Sequence, residues 1–364
     1  MRRKLLFAVL FVLLAAAAAL YWYLRPLPVL TVTTWPGAYG RAQAAALMRP
    51  FAADRRIDVH IAQWDGALDD LVRAVRTKSY RGDVIDFELP TAIAACRQGL
   101  LEPIDSASLP PGADATPPEK DFVPGAIGPC WVGSVVYSHL VVFAPNRFAG
   151  AAPTAMADFF DLKKFPGRRA LRRGSAKFNL EMALLADGVA PADVYRTLAT
   201  TAGLSRALAR LDTIRDAIIW TNGAGEGLDL VKSGQAAFAT ALNGDVFDAQ
   251  LHGFHPGVIW DRQLYELDVF GVPKGDPKKE MAMDFIRYAT GSAPLAGVAD
   301  WVALGPARRS ALALVGDNPE LKTPMQGASP TAHFDTAFAV DDAFWLDHDD
   351  IQSAWQTWLT RAPH

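Results

Sequence analysis

The sequence predicts an α/β fold with two lobes whose sheets are mostly parallel. The chain has 364 residues, of which 51% are hydrophobic. A chain of this length is longer than a single hydrophobic core usually supports, so two lobes are expected. Strand-like runs alternate with helical runs along much of the chain, and this alternation favours parallel sheets. Because ligands bind beyond the carboxyl ends of such strands, functional side chains are expected there.

The elements follow in a regular order after a linker at residues 25–28. In the first unit the predicted strands cover 29–35, 59–62 and 83–88, the helices cover 41–51, 68–76 and 91–98, and a surface loop covers 103–123. A long strand-like run at 132–143 is expected to make the first crossing between the lobes. The second unit begins near residue 148 and has strands at 169–171, 218–220 and 236–240, helices at 179–185, 190–198, 203–211 and 225–233, and a turn at 243–244. The chain returns through a strand at 264–273 and a helix at 278–290, and its tail, 341–358, ends in a helix.

Aromatic and acidic residues stand at the ends of two predicted strands. Trp35 and Tyr39 lie just past the first strand, and Asp86 and Glu88 close the third. Because parallel strands end at the same edge of a sheet, all four side chains are expected to face one crevice.

The strand at 264–273 alternates apolar residues with acids. Its period of two places Glu266 and Asp268 on one face and Tyr265 on the other. The two carboxylates would be roughly 7 Å apart, and their repulsion would cost about 2 kcal/mol without a counter-charge. This face is either a solvated acidic edge or a pocket wall that attracts a cationic ligand.

Charge and motifs exclude several classes of function. The net charge is −3 with acids and bases mixed, so the sequence offers no basic patch for nucleic acid. It contains no Walker A, G-x-S-x-G or H-E-x-x-H motif. His252 and His255 lie beside turn residues, and the acids of 347–350 are typical of helix capping. We therefore predict a protein without enzymatic activity, cofactor or metal.

The N-terminus predicts export. Arg2, Arg3 and Lys4 precede an apolar run over residues 5–24 with small residues that suit a cleavage site. This run is also long enough to remain as an anchor in the inner membrane. Residues 1–28 are therefore either a signal peptide or an N-terminal anchor, and the protein is expected in the periplasm.

Cys96 and Cys130 are the only cysteines of the chain. In an oxidising compartment two cysteines suggest one disulfide, although two buried thiols are the alternative.

Several segments carry a resemblance to a known family. They are residues 83–88, 99–105, 158–189 and 265–273 and the strand that ends in Trp35. From about Leu30 to Arg308 the chain resembles the extracellular solute-binding proteins of bacterial ABC importers, of the spermidine/putrescine type. The resemblance implies a type II periplasmic-binding-protein fold, in which two α/β lobes joined by crossing strands close over one small ligand. Lobe 1 would comprise 29–141 and 268–310, and lobe 2 would comprise 142–267 and 311–364.

The resemblance also implies roles for individual residues. In the family, aromatic walls hold the methylene chain of a polyamine and carboxylates bind its ammonium groups. The candidate ligand-binding residues here are Trp35, Tyr39, Asp86, Glu88, Asn243, Asp245, Tyr265, Glu266 and Asp268. The family pattern also places paired cysteines near Cys96 and Cys130. The expected partners are a polyamine-like ligand and an ABC permease in the inner membrane, and the protein is expected to be a monomer.

The sequence departs from the family pattern at the ligand site. Leu242 and Leu304 replace aromatic residues, and Arg172, Arg173 and Lys177 stand near the place where lobe-two acids are expected. If these basic side chains point inward, an anionic or zwitterionic ligand fits better than a polyamine; otherwise they form a solvated loop. A membrane-anchored sensor and an exported enzyme built on the same lobes are the alternative classes.

Overall fold

One mixed sheet runs through the part of the chain that the structure describes. The structure is a computed structural model, and it describes residues 13–14, 26–63, 66–148, 150–223 and 225–360. Its strands are β1 (Val29–Thr34), β2 (Asp58–Gln63), β3 (Val84–Glu88), β4 (Val132–Phe143), β5 (Arg169–Arg172), β6 (Ile218–Thr221), β7 (Phe238–Leu242), β8 (Gly257–Gly271), β9 (Gly305–Pro306) and β10 (Phe338–Ala339). They lie in the order β2-β1-β3-β8-β4-β7-β5-β6, with β10 beside β8 and β9 beside β4.

Helices cover the sheet and connect its strands. They are α1 (Ala38–Gln43), α2 (Arg49–Arg55), α3 (Leu68–Thr77), α4 (Leu89–Arg97), α5 (Pro118–Asp121), α6 (Asn179–Ala186), α7 (Val194–Leu198), α8 (Thr201–Asp212), α9 (Glu226–Lys232), α10 (Asn243–Leu251), α11 (Lys279–Ala289), α12 (Ser292–Ala299), α13 (Asp342–Asp347) and α14 (Asp349–Leu359). A π-helical turn, Ala44–Met48, joins α1 to α2. Short 3₁₀ helices lie at Ser106–Ser108, Met156–Phe160, Pro191–Asp193, Arg215–Ala217, Arg309–Leu314, Gln326–Ala328 and Pro330–His333.

Two antiparallel strands, β4 and β8, cross the molecule. Val136 of β4 and Leu267 of β8 pack in a first hydrophobic core with β1 and β3. Val141 and Ile259, farther along the same strands, pack in a second core with β5 and β7. The parallel groups β2-β1-β3 and β7-β5-β6 lie on either side of this pair. The predicted α/β fold with crossing strands is therefore confirmed, although the long central pairings are antiparallel.

The hydrophobic packing differs from the predicted division of the chain within the crossing strands, where Val141 packs in the second core and Leu267 in the first, and at one later stretch. Ala311, Val315 and Met325 pack in the first core, whereas the sequence assigned 311–364 to the second lobe. The 3₁₀ helix Arg309–Leu314 contacts α12, which keeps this stretch beside the first core. The chain joins the second core from Phe338 onward. The exact lobe boundaries remain a prediction.

Two local predictions were wrong. The sequence predicted a turn at 243–244, but α10 begins there, because Asn243 is held by backbone groups outside the helix. The strand predicted from residue 264 begins at Gly257, since its first half pairs with β4 in the second core.

The disulfide between Cys96 and Cys130 is present. It joins α4 to the segment just before β4. This bridge was predicted from the cysteine count and from the family resemblance.

A buried carboxyl lies under the C-terminal helices in the second core. Glu181 of α6 is inaccessible to solvent, and its Oε1 accepts hydrogen bonds from Trp345 Nε1 at 2.6 Å and Tyr195 OH at 3.2 Å. Its Oε2 has no partner among the residues described. Burial raises the pKa of Glu181 to about 7.

Glu181→Gln is expected to stabilise the protein at pH 8 by about 1 to 3 kcal/mol. A carboxyl whose folded pKa is raised destabilises the folded state progressively as the pH rises from its unfolded pKa, about 4.3, to its folded value. Glutamine does not titrate, so the variant does not lose folding stability at this position as the pH rises. Urea unfolding at pH 5 and pH 8 measures the effect, with the exposed Glu119→Gln as control. A variant that is less stable than the wild type at pH 8 would contradict the expectation.

Candidate functional site

A row of acids lies where β3, β8 and β4 meet. Glu88 of β3 is directly opposite Asp268 of β8, and Tyr137 of β4 is opposite Glu266. These side chains share one face of the sheet, as the alternation along β8 predicted. Tyr265 points to the other face, where it is buried and stacks on Phe334 at 4.7 Å. The structure therefore does not bring Tyr265 to the acidic row.

Two cavities are lined by four of the nine predicted residues, Trp35, Tyr39, Glu88 and Glu266, whereas Asp268 lines neither. The first, of about 310 Å³, is called the acidic cavity, and its lining includes Glu88, Tyr137, His139, Arg172, Lys177 and Glu266. The second, of about 840 Å³, is called the aromatic cavity, and its lining includes Trp35, Tyr39, Phe247, Trp301 and Leu304. Leu242, where the family pattern has an aromatic residue, lines the acidic cavity. Tyr137 and Phe178, which the sequence analysis did not identify, supply aromatic surface there instead.

Asp86 is buried and satisfied by neutral donors. It accepts hydrogen bonds from Gln43 Nε2 at 2.9 Å and from Ser134 Oγ at 3.0 Å. Burial raises its pKa to about 7. Gln43 also donates to the hydroxyl of Tyr39 at 2.8 Å, and that hydroxyl lies 3.1 Å from Ser134 Oγ. Asp86 therefore fixes the position of Tyr39 and lies behind the cavity walls, not on them.

Glu88 and Asp268 are left without a donor. Neither carboxylate accepts a hydrogen bond or forms an ion pair with any residue that the structure describes. Burial and then the charges of Asp86 and Glu88 raise the pKa of Asp268 well above its usual range. Burial and the charge of Glu266 also raise the pKa of Glu88. The two adjacent carboxyl groups therefore have no hydrogen-bonded or ion-paired cation among the described residues, and a cation bound beside Glu88, which is exposed and lines the acidic cavity, would lower both pKa values.

Glu266 is neutralised from within the protein. Lys177 Nζ donates to Glu266 Oε1 and to Asp342 Oδ1, the latter at 2.5 Å, and His139 Nε2 lies 3.3 Å from Glu266 Oε2. Although burial alone would raise it, contact with His139 and Lys177 lowers the pKa of Glu266 to about 2. Lys177 therefore points inward, which was one of the two possibilities that the sequence left open.

Phe178 closes one side of the acidic cavity. Its ring stacks on His139 with a centroid distance of 3.5 Å. Its backbone φ is +71°, an uncommon and strained value for a bulky non-glycine residue. The strain is consistent with a loop held in place to position Lys177 and Phe178 at the cavity.

Arg172 brings a cationic side chain to the same cavity. It is exposed at the end of β5, and no hydrogen bond or ion pair of its guanidinium occurs within the described part of the chain. The acidic cavity therefore has carboxylates on one wall and an available guanidinium on another. Arg173 is exposed and does not line this cavity.

Asn243 lies apart from the acidic row, whereas Asp245 lies near His139 and Arg172, and its Oδ2 has no partner among the described residues. The Asn243 side chain accepts a hydrogen bond from the backbone N–H of Ser138 at 2.8 Å and donates to the carbonyl of Ala303, so its amide ties β4 to that segment. Asp245 lines a small neighbouring cavity of about 20 Å³ beyond Arg172. Burial and the charge of Asp248 raise the pKa of Asp245. The Asn243 amide thus has backbone contacts on both sides, and its predicted ligand contact stays a prediction.

Two α/β cores joined by crossing strands, with charged cavities where they meet, define a solute-binding protein. Residues 46–324 match the family of bacterial extracellular solute-binding proteins, and the chain belongs to that family. The protein is therefore a bacterial extracellular solute-binding protein and not an enzyme, and its expected location is the periplasm. No helix in the described ranges has the length and apolar character needed to cross a membrane. The predicted export segment, 5–24, lies outside the described residues except for Leu13 and Leu14.

Several known proteins are similar to this chain. It is 33% identical over 335 residues to the gamma-aminobutyric acid-binding protein of Pseudomonas aeruginosa, covering 91% of each chain. A solved structure of a GABA receptor has a TM-score of 0.73 and 28% identity, and the match covers 92% of this chain and 98% of that one. The spermidine/putrescine ABC transporter substrate-binding protein of Streptococcus pneumoniae has a TM-score of 0.66 and 14% identity, with 91% and 99% covered. The last likeness concerns the fold alone.

Proposed function

We propose that this protein captures a small zwitterion in which a short alkyl chain separates an ammonium from a carboxylate, with γ-aminobutyrate as the first candidate. One observation carries the proposal: the acidic cavity is lined both by Glu88, an acid without a donor, and by Arg172, a guanidinium without an acceptor. A ligand with one positive and one negative end complements both. The ABC permease would receive this ligand from the protein.

The ammonium end is assigned to Glu88 and Asp268. The two residues are opposite each other across β3 and β8, and both have raised pKa values that a bound cation would lower. Tyr137 lies beside them in the sheet and presents an aromatic ring to the acidic cavity. Aromatic faces attract ammonium groups by about 0.5 to 2 kcal/mol.

The carboxylate end is assigned to Arg172. A guanidinium offers two parallel N–H donors that match a carboxylate, and such charge-assisted pairs are stronger than neutral hydrogen bonds. The names of two relatives support this ligand class, since one is a gamma-aminobutyric acid-binding protein and the other a GABA receptor.

A polyamine is the second candidate, because four acids, Asp86, Glu88, Glu266 and Asp268, lie close to the cavity. However, Lys177 already neutralises Glu266, and Asp86 is satisfied by neutral donors. Of these four acids, only Glu88 and Asp268 remain for a ligand cation, and the further acid without a partner, Asp245, lies beside Arg172 in the small adjoining cavity. This count favours a ligand with a single ammonium group.

Calorimetric titration with four ligands tests the proposal. They are γ-aminobutyrate, n-butylammonium, butyrate and putrescine, which present both charges, only the cation, only the anion and two cations. We expect γ-aminobutyrate to bind at least about 10-fold more tightly than the other three ligands. Only γ-aminobutyrate has both an ammonium group for the acidic side chains and a carboxylate for Arg172. Tighter binding of putrescine would favour the polyamine, and binding of none of the four would contradict the proposal.

Arg172→Met is expected to weaken γ-aminobutyrate binding by about 10- to 150-fold and to leave the weak binding of n-butylammonium nearly unchanged. The reason is that methionine removes the contact to the carboxylate alone. Arg173→Met, at an exposed position outside the cavity, is the matched control. Equal weakening of both ligands by Arg172→Met would contradict the assignment.

A further inference from the structure

The ammonium group of Lys177 lies in a pocket with the composition of an ammonium-binding site. Its Nζ contacts Glu266 of β8 and Asp342 of α13, whose side chains are 6% and 1% exposed. The same atom is 5.2 Å from the centroid of the Phe178 ring. Two buried carboxylates and an aromatic face are the elements by which proteins hold alkylammonium ligands.

The charges around Lys177 come from several elements. Glu266 and Asp342 contact it directly, His139 of β4 lies against Glu266, and Glu88 and Arg172 line the same cavity. Burial alone would lower the pKa of Lys177, but Glu266 and Asp342 hold it above its usual value, so the group stays charged. The cavity thus contains a permanent ammonium group that belongs to the protein.

We propose that Lys177 is a resident ammonium that occupies the position of a second ligand cation and restricts the acidic cavity to ligands with one cationic end. This specificity role rests on the proposed function, in which the first ammonium position is formed by Glu88 and Asp268. A diamine entering the cavity meets Lys177 where its distal ammonium needs a carboxylate. A zwitterion instead directs its negative end toward the basic side of the cavity.

Chemical rescue tests whether the Lys177 position is an ammonium site. Lys177→Ala removes the Cγ, Cδ, Cε and Nζ atoms, and n-propylammonium has the same four heavy atoms. We expect Lys177→Ala to lower the Tm by roughly 10 °C, because two buried carboxylates lose their cation. Millimolar n-propylammonium is expected to restore at least about half of this loss.

The controls separate site occupancy from general effects of amines. Lys177→Met removes the charge but leaves no vacancy, so it is expected to show no rescue by n-propylammonium. Lys164→Ala removes a lysine that is 58% exposed and should leave the Tm and its response unchanged. Propan-1-ol, a neutral ligand of similar size, should rescue none of the variants. Equal stabilisation of the wild type and Lys177→Ala by n-propylammonium would overturn the proposal, as would the absence of any rescue.

The affinity for putrescine, measured on the same variants, tests the effect of Lys177 on ligand specificity. We expect Lys177→Ala to bind putrescine at least about 10-fold more tightly than the wild type does. If the wild type binds none of the four ligands but rescue succeeds, the proposed function fails and the ammonium site stands. If the wild type binds γ-aminobutyrate but Lys177→Ala lacks either the rescue or the gain in putrescine affinity, the resident-ammonium inference alone fails.

If Lys177→Ala does not fold, ¹⁵N NMR of lysine ammonium groups in the wild type decides the question. A buried ammonium held by two carboxylates should give a solvent-protected resonance, and this resonance should be absent in Lys177→Met. It should persist when γ-aminobutyrate is added. Loss of the resonance on ligand binding would show that Lys177 is displaced, which would overturn the inference.

Discussion

Asp268→Asn is expected to weaken γ-aminobutyrate binding by about 10- to 150-fold and, at the same time, to make the ligand-free protein more stable. The first effect follows because the buried Asp268 lies opposite Glu88, which lines the acidic cavity, and accepts no hydrogen bond from any described residue, so its charge would act on the ligand ammonium from beside Glu88. The second effect follows because Asp86, Glu88 and Glu266 all repel its negative charge. Asparagine keeps the shape of the side chain but removes its negative charge. The variant therefore loses both the attraction to the ligand ammonium and the repulsion by the neighbouring carboxylates.

The gain in stability should depend on pH in a defined direction. Burial and the neighbouring carboxylates raise the folded pKa of Asp268 well above its unfolded value of about 3.9. Wild-type stability therefore falls as the pH rises above about 4, until the folded group is ionised. The variant lacks this loss, so its advantage should be larger at pH 8 than at pH 5.

Calorimetry and thermal unfolding of the same preparations measure the two effects. Asp216→Asn changes an exposed aspartate far from the cavities and is the matched control, expected to alter neither quantity. Unchanged affinity in Asp268→Asn would remove this residue from the proposed site. Lower stability of the ligand-free variant at pH 8 would show that the carboxylate has a favourable partner.

The faces of β8 were predictable from the sequence because they follow from local geometry. A period of two separates Glu266 and Asp268 from Tyr265 wherever the strand is placed in the sheet. The same reasoning could have identified Tyr137 and His139, which are two residues apart and share one face of strand β4. The family resemblance drew attention to Tyr265, but the alternation along the strand already placed it on the other face.

Contacts between distant parts of the chain were not predictable. Lys177 reaches Glu266 across 89 residues and Asp342 across 165, and no local pattern encodes such pairings. The contact between Gln43 and Tyr39 was partly predictable. Gln43 follows Tyr39 by four residues and so lies on the same face of a helix. Ser134 meets Asp86 at a bulge in β4, where the register shifts between Gly133 and Val135. A bulge of this kind leaves no signal in the strand pattern.

Removing the disulfide is expected to produce the largest loss of stability. Cys96 and Cys130 are 34 residues apart, and opening a loop of that length costs about 4 kcal/mol on the chain-entropy estimate. The double variant Cys96→Ser/Cys130→Ser should therefore unfold at a much lower urea concentration than the wild type. Reduction of the wild type with dithiothreitol should give the same midpoint.

The position of the bridge separates its effect on stability from any effect on binding. Cys96 lies at the end of α4, the helix that follows Glu88, and Cys130 precedes β4, but neither cysteine lines the acidic or the aromatic cavity. The folded fraction of the double variant should therefore bind γ-aminobutyrate within about 3-fold of the wild-type affinity, because the loop constraint acts mainly on the unfolded state. Equal urea midpoints for the oxidised and reduced wild type would contradict the stabilising role. A large loss of affinity with intact folding would instead show that the bridge holds Glu88 in its binding position.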